Sequence, residues 1–159
     1  MLLSDIACVL ALTARSQAYV QALARHDIEL GRYLILSDGR PPAVPPENLK
    51  ELGSGRYFDI DESVFSTLDS RKIGYEVIPS RDINGAEVQE ALQKIPQRYI
   101  LYSGYGGALL KPHLFRLGKK WLHIHAGMLP QYRGSTTAYY SLLDRGSLGA
   151  TAIFLNEKI

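Results

Sequence analysis

Six short apolar runs, separated by stretches with helical spacing, narrow the possible folds of this 159-residue chain more than any other feature. Residues 6–13 ("IACVLALT") are almost wholly apolar, as a strand covered on both faces is. The run gives way at "ARSQ", where Ser16 is the expected helix N-cap, and Ala18, Tyr19, Ala22 and Leu23 then recur at helical spacing up to Arg25. Residues 32–38 ("RYLILSD") form a second strand, and "GRPPAVPPEN" from Gly39, with four prolines, is an extended surface connection. Val64, Phe65, Leu68 and Lys72 trace a helix within residues 62–73, followed by the strand "YEVIPS". Asn84 is the expected N-cap of a helix over residues 85–95, with Val88, Ala91, Leu92 and Ile95 on one face. The strands "RYILYSGYGG" and "WLHIHAG" flank a short helix in "KPHLFRLG". "STTAYYSLLDRGS" begins with capping residues, carries Tyr139, Leu142 and Leu143 at helical spacing and stops at Gly146; "GATAIFLNE" is the last strand.

Strands alternating with helices imply an α/β fold with a doubly wound, mostly parallel, Rossmann-like sheet. Such sheets bind ligands in the crevice beyond the carboxyl ends of the strands. The glycine-rich exit at residues 104–107 and the "HIHAG" segment both lie at such ends. Residues 1–159 read as a single domain, large enough to bury a core without disulfides or a structural metal. The lone Cys8 sits inside an apolar run, as core filler does. The formal charge of +2 is spread along the chain, with "RLGKK" as its one local cluster, which is too little for a nucleic-acid footprint. The apolar run of residues 6–14 has Asp5 and no basic residue before it, unlike a signal peptide. No apolar stretch approaches the ~18 residues of a membrane span. The expectation is a cytoplasmic protein with no nucleic-acid or membrane partner, and a homo-oligomer is compatible with it.

Neither G-x-G-x-x-G after the first strand nor a P-loop is present, which argues against dinucleotide binding in the usual manner. "SGYGGALL" lets a backbone approach a flat or anionic ligand, although a tight turn without function has the same composition. His123 and His125 are two apart on a strand and therefore share a face. A catalytic zinc wants three protein ligands, and His26, His113 and Cys8 lie in other elements with no supporting motif. The plainer reading is one histidine hydrogen-bonded in the core and one exposed. Past the pair, "AGMLPQYRG" is an apolar loop in which Arg133 is suited to grip a carboxylate or phosphate, and Gly134 permits a backbone conformation larger residues resist.

With its "YGGALL", "HIHAGMLPQYRG" and "AIFLNEKI" in that order and spacing, the segment 99–159 resembles the folate-dependent formyltransferases. This group includes methionyl-tRNA, glycinamide-ribonucleotide and sugar-nucleotide formyltransferases. Residues 1–98 resemble it only in their β-α-β rhythm. The resemblance implies an N-terminal catalytic domain that moves a formyl group from 10-formyltetrahydrofolate to an amine through a tetrahedral oxyanion. It places the invariant histidine on His125, fit to exchange a proton near its unperturbed pKa of ~6.5. The asparagine of the family motif falls on His123. A ring nitrogen there is the expected donor to the oxyanion, and loss of such a donor typically costs ~3 kcal/mol. The family aspartate that orients the histidine falls directly after Ile159, so the C-terminal end of the domain is expected to be incomplete and an unaccompanied His125 to be impaired. Backbone groups of Tyr105, Gly106, Gly107, Ala108, Leu109 and Leu110 are expected to hold the pterin, and Met128, Leu129 and Pro130 to wall its pocket. Leu109, Leu110 and Leu129 are equally suited to a core role. Arg133 and Gly134 are expected to shape the substrate side, whereas Tyr139 and Tyr140 are expected to pack. A small amine is the expected acceptor, with an amino sugar on a nucleotide carrier as the first choice. The alternatives are a catalytically inactive formyltransferase-like binding module and a metal hydrolase using the histidine pair.

Overall fold

In the computed structural model, which describes residues 1–41, 57–134 and 136–157, the apolar runs form one six-stranded sheet. Its strands are β1 (Leu2–Ala11), β2 (Glu29–Leu36), β3 (Glu76–Ile78), β4 (Tyr99–Ser103), β5 (Lys120–His125) and β6 (Thr151–Leu155). The helices are α1 (Ala14–Arg25), α2 (Val64–Ser70), α3 (Ala86–Lys94), α4 (Pro112–Phe115) and α5 (Thr137–Arg145). The strand order is β3-β2-β1-β4-β5-β6, parallel throughout except for β6, which runs antiparallel beside β5. The chain leaves β1 in one direction for β2 and β3, and returns to its other side for β4. The switch in strand order therefore lies between the carboxyl ends of β1 and β4, where α/β sheets hold ligands. Most of the proline-rich connection, from Pro42 onward, lies outside the described residues, as does Ser135.

Period-two alternation along β1 sorts the core into two layers. Ala7 and Val9 join Leu34, Leu36, Ile78, Val88, Leu92, Ile100 and Trp121 on the face covered by α3. Cys8 and Leu10 join Val20, Tyr33, Ile35, Val64 and Leu68 on the face covered by α1 and α2. Both faces being covered explains why β1 reads as a continuous apolar run rather than an alternating one. Burial pushes the Cys8 thiol well above its ordinary pKa, which leaves it protonated and unreactive at neutral pH.

Two expected caps are corrected. Thr13, not Ser16, caps α1, its hydroxyl accepting from the Ser16 backbone N–H at 3.3 Å. Gly85, not Asn84, is the N-cap of α3, with no side-chain cap bond. In each case the expected capping side chain is spent on a longer-range contact near the strand ends. The buried positions of α1 are Ser16, Val20 and Gln21 rather than the stripe through Ala18 and Ala22. Gly146 ends α5 as expected, in the left-handed conformation at φ 63°. The apolar residues of α5 do not face a core: Tyr139, Tyr140, Leu142 and Leu143 are exposed, and Thr137 and Ser141 are its buried positions. No helix among the described residues is long and apolar enough to cross a membrane.

Candidate functional site

The carboxyl ends of β4 and β5 bring two loops together. β4 exits through Ser103 into the glycine-rich loop, and β5 exits through His125 into residues 126–134. α1 is stapled across the first exit. The buried Ser16 hydroxyl donates to the Ser103 carbonyl oxygen at 3.1 Å, and the Arg15 guanidinium donates to the Gly104 carbonyl at 2.8 Å. Gly104 is required there by space: a Cβ would lie 1.9 Å from the Tyr102 hydroxyl and 2.3 Å from its Cζ. Tyr102 is itself buried, packed edge-on against Trp121 at 5.7 Å between ring centroids and beside His123 at 6.4 Å. Among the described residues its hydroxyl meets no hydrogen-bond partner, and desolvation drives its pKa up to about 12.

The glycine-rich loop is held from three sides. The Tyr105 hydroxyl donates to the Leu36 carbonyl at 3.0 Å, and the Arg81 guanidinium lies over the Tyr105 ring, 3.9 Å from its centroid. The Asn84 amide donates to the Leu109 carbonyl at 3.0 Å, while its oxygen accepts from the Lys111 backbone N–H at 2.8 Å. Between these anchors Gly106 and Gly107 are exposed, and a Cβ at either meets nothing within 4 Å; Gly107 has φ 79°. Leu110, Ala108 and Tyr105 pack against the core, whereas Leu109 is 78% exposed. The loop thus offers an open stretch of bare backbone on a rigid base, the form of site a flat heterocycle with donors and acceptors along one edge fits.

His123 and His125 lie on one face of β5, both half-buried. Nδ1 of His123 is 3.3 Å from the Tyr102 carbonyl oxygen. Nε2 of His125 is 2.7 Å from the Tyr132 carbonyl oxygen. Tyr132 is tied down in turn, its hydroxyl donating to the Asp144 carboxylate on α5 at 2.6 Å. Asp144 therefore sets the position of His125 through the loop. Thr151, paired opposite His125 on β6, donates to the Gly127 carbonyl at 2.8 Å and accepts from the Leu129 backbone N–H at 3.1 Å. Because β6 is antiparallel, its far end, Leu155, lies opposite Trp121 rather than the histidines, so the strand exits away from His125.

Met128 is 51% exposed, Leu129 half-buried and Pro130 exposed after a cis peptide bond. Arg133 is exposed and donates from Nε to the Pro130 carbonyl at 3.1 Å, closing the loop on itself; Gly134 follows at φ 91°. Among the described hydrogen bonds, none joins the Arg133 guanidinium to either histidine. Arg15, Asn84, Tyr102 and Asp144 escaped the reading of the sequence, although Asn84 was marked for a different role. Among the described residues, no group of three or more His, Cys, Asp or Glu side chains is placed to hold a metal ion.

No protein-family model matches the chain. Over 87 residues, 55% of this chain and 28% of the relative, it is 36% identical to a methionyl-tRNA formyltransferase of Finegoldia magna. Over 120 residues, 75% of this chain and 34% of the relative, it is 28% identical to a methionyl-tRNA formyltransferase of Nitratiruptor sp.. The matched segments are thus similar to methionyl-tRNA formyltransferases. The chain's formyltransferase fold superposes on the phosphoribosylglycinamide formyltransferase of Anaplasma phagocytophilum with a TM-score of 0.61 at 13% identity, covering 97% of this chain and 65% of that one. The chain spans about a third of the length of the curated formyltransferases it matches.

Proposed function

We propose that this formyltransferase domain transfers a formyl group from 10-formyltetrahydrofolate to a primary amine. The observation that carries the reading is the placement of His123 and His125 on one face at the end of β5, beside the open backbone of Gly106 and Gly107 at the end of β4. The folate, when bound, supplies a formyl group activated on nitrogen. The loop 105–110 binds its heterocycle through backbone groups, and Met128, Leu129 and Pro130 flank it. His125, oriented by the Tyr132 carbonyl, stabilises the oxyanion of the tetrahedral intermediate and exchanges a proton with it.

For the acceptor, the reading stays with a primary amine. The similar proteins are named for methionyl-tRNA and for phosphoribosylglycinamide, so an amino sugar has only the resemblance behind it. The spread charge of +2 supports a small acceptor over a nucleic acid. Turnover assays on a panel of amines that includes an aminoacyl-tRNA decide the point, and formylation of the tRNA alone overturns the small-acceptor choice.

Titration calorimetry with a non-reactive reduced-folate analogue tests the donor. Binding with Kd below about 1 mM, some 4 kcal/mol, is expected. Absence of heat at that concentration removes folate from the reading. Asn84→Ala should weaken the same binding about tenfold, because two hydrogen bonds at ~0.5–1.5 kcal/mol each hold the loop in its receptive shape. Unaltered affinity would show that the loop orders itself without Asn84.

A further inference from the structure

The two histidines are anchored through opposite ring nitrogens, Nδ1 of His123 and Nε2 of His125. A carbonyl oxygen only accepts, so the ring nitrogen facing it must carry the hydrogen. For His123 that nitrogen is Nδ1, held by the Tyr102 carbonyl of the neighbouring strand. In a neutral ring the other nitrogen is then a lone pair. Among the described residues Nε2 of His123 meets no hydrogen-bond partner, and it is not one of the sealed polar atoms, so the lone pair is accessible on this half-buried ring. The amide-like donation expected of this position is not what a ring in this tautomer offers.

We infer that His123 is a proton acceptor in this site, taking the proton of the incoming amine on Nε2 while the Tyr102 carbonyl holds Nδ1–H. The inference rests on the formyl-transfer reading given above. The amine nitrogen bonds to the formyl carbon and the carbonyl π pair moves onto oxygen. The N–H proton passes to Nε2, making His123 an imidazolium with both nitrogens donating. As the oxygen pair returns, the bond from the formyl carbon to the donor nitrogen breaks, and that nitrogen takes the proton back from Nε2. One N–H bond is lost and one is made, so no outside acid or base is consumed.

The surroundings keep the resting ring neutral. Burial foremost holds the His123 pKa below its ordinary value, with Arg15 from α1 and His125 from the same strand adding to the effect and the Tyr102 carbonyl opposing it. On β4 the facing titratable group is the Tyr102 phenol, uncharged at neutral pH, and the β6 residue paired with His123 is the apolar Ile153. Protonation at low pH fills the lone pair. Transfer should therefore fall as the pH drops through a value below ~6.5, the ordinary imidazole pKa.

The decisive measurement is a long-range ¹⁵N–¹H correlation spectrum of the uniformly labelled free protein at pH 7.5, with His123 assigned by its disappearance in His123→Asn. A protonated Nδ1 and an unprotonated Nε2 are expected; the reverse pattern overturns the inference whatever the activity. Turnover supplies the second arm. His123→Asn, which replaces the base with an amide donor, should lower kcat about 10²- to 10⁴-fold, and the wild-type acid limb of kcat should follow the His123 titration seen by NMR. A variant as fast as the wild type would show that donation, not acceptance, is what the position requires. A wild-type protein with the expected tautomer but no transfer to any amine would overturn the formyl-transfer reading, and with it the catalytic use of the lone pair, but not the tautomer.

Discussion

Replacing His125 by alanine should lower formyl transfer about 10²- to 10⁴-fold, the span that one positioned acid–base group contributes, with little change in melting temperature. The side chain is half-buried, and its ring makes one described hydrogen bond, to the Tyr132 carbonyl. Its loss therefore removes a proton carrier without opening the core. Steady-state kinetics read the effect, and circular dichroism confirms the fold. Turnover within about threefold of the wild type would mean that the chemistry is centred elsewhere, with His123 as the first place to look. Asp144→Asn gives a graded control, since it keeps a partner for the Tyr132 hydroxyl while removing the charge.

A second large effect is expected from Gly104→Ala. The added methyl would be placed 1.9 Å from the Tyr102 hydroxyl and 2.3 Å from its Cζ, inside any allowed contact, against a ring held by Trp121. Forcing the two apart should cost about 1–3 kcal/mol, as overpacking of a well-filled interior does, read as a lower denaturant midpoint. The cost should fall sharply in a Tyr102→Leu background, where the clashing ring is gone. Contacting residues couple in this way and distant ones do not. An equal penalty in both backgrounds would place the strain in the loop backbone instead. The same substitution should weaken folate binding, because Gly104 begins the loop proposed to hold the heterocycle.

The central strands were legible because β1, β2 and β4 carry runs of apolar residues, the pattern a sheet covered on both faces imposes. The site segments were legible because both lie at carboxyl ends and the second carries a specific loop sequence. What could not be read depends on partners distant in sequence. Ser16 and Asn84 are good capping residues by type, and their use as tethers for Ser103 and for Leu109 is decided by the packing of α1 and the loop before α3 against β4. The tautomer of His123 is decided by a carbonyl 21 residues away on the neighbouring strand. The exposed face of α5 shows the limit of periodicity, which finds an apolar stripe but not what it rests on.

Arg15 reaches the site from a stretch with no motif, tied to the Gly104 carbonyl at the switch in strand order. Its fixed positive charge favours deprotonation of three separate rings, those of Tyr19, Tyr102 and His123. It thus acts as a common bias on the proton inventory of the crevice. Neutralising this one side chain would retune all three titrations upward together.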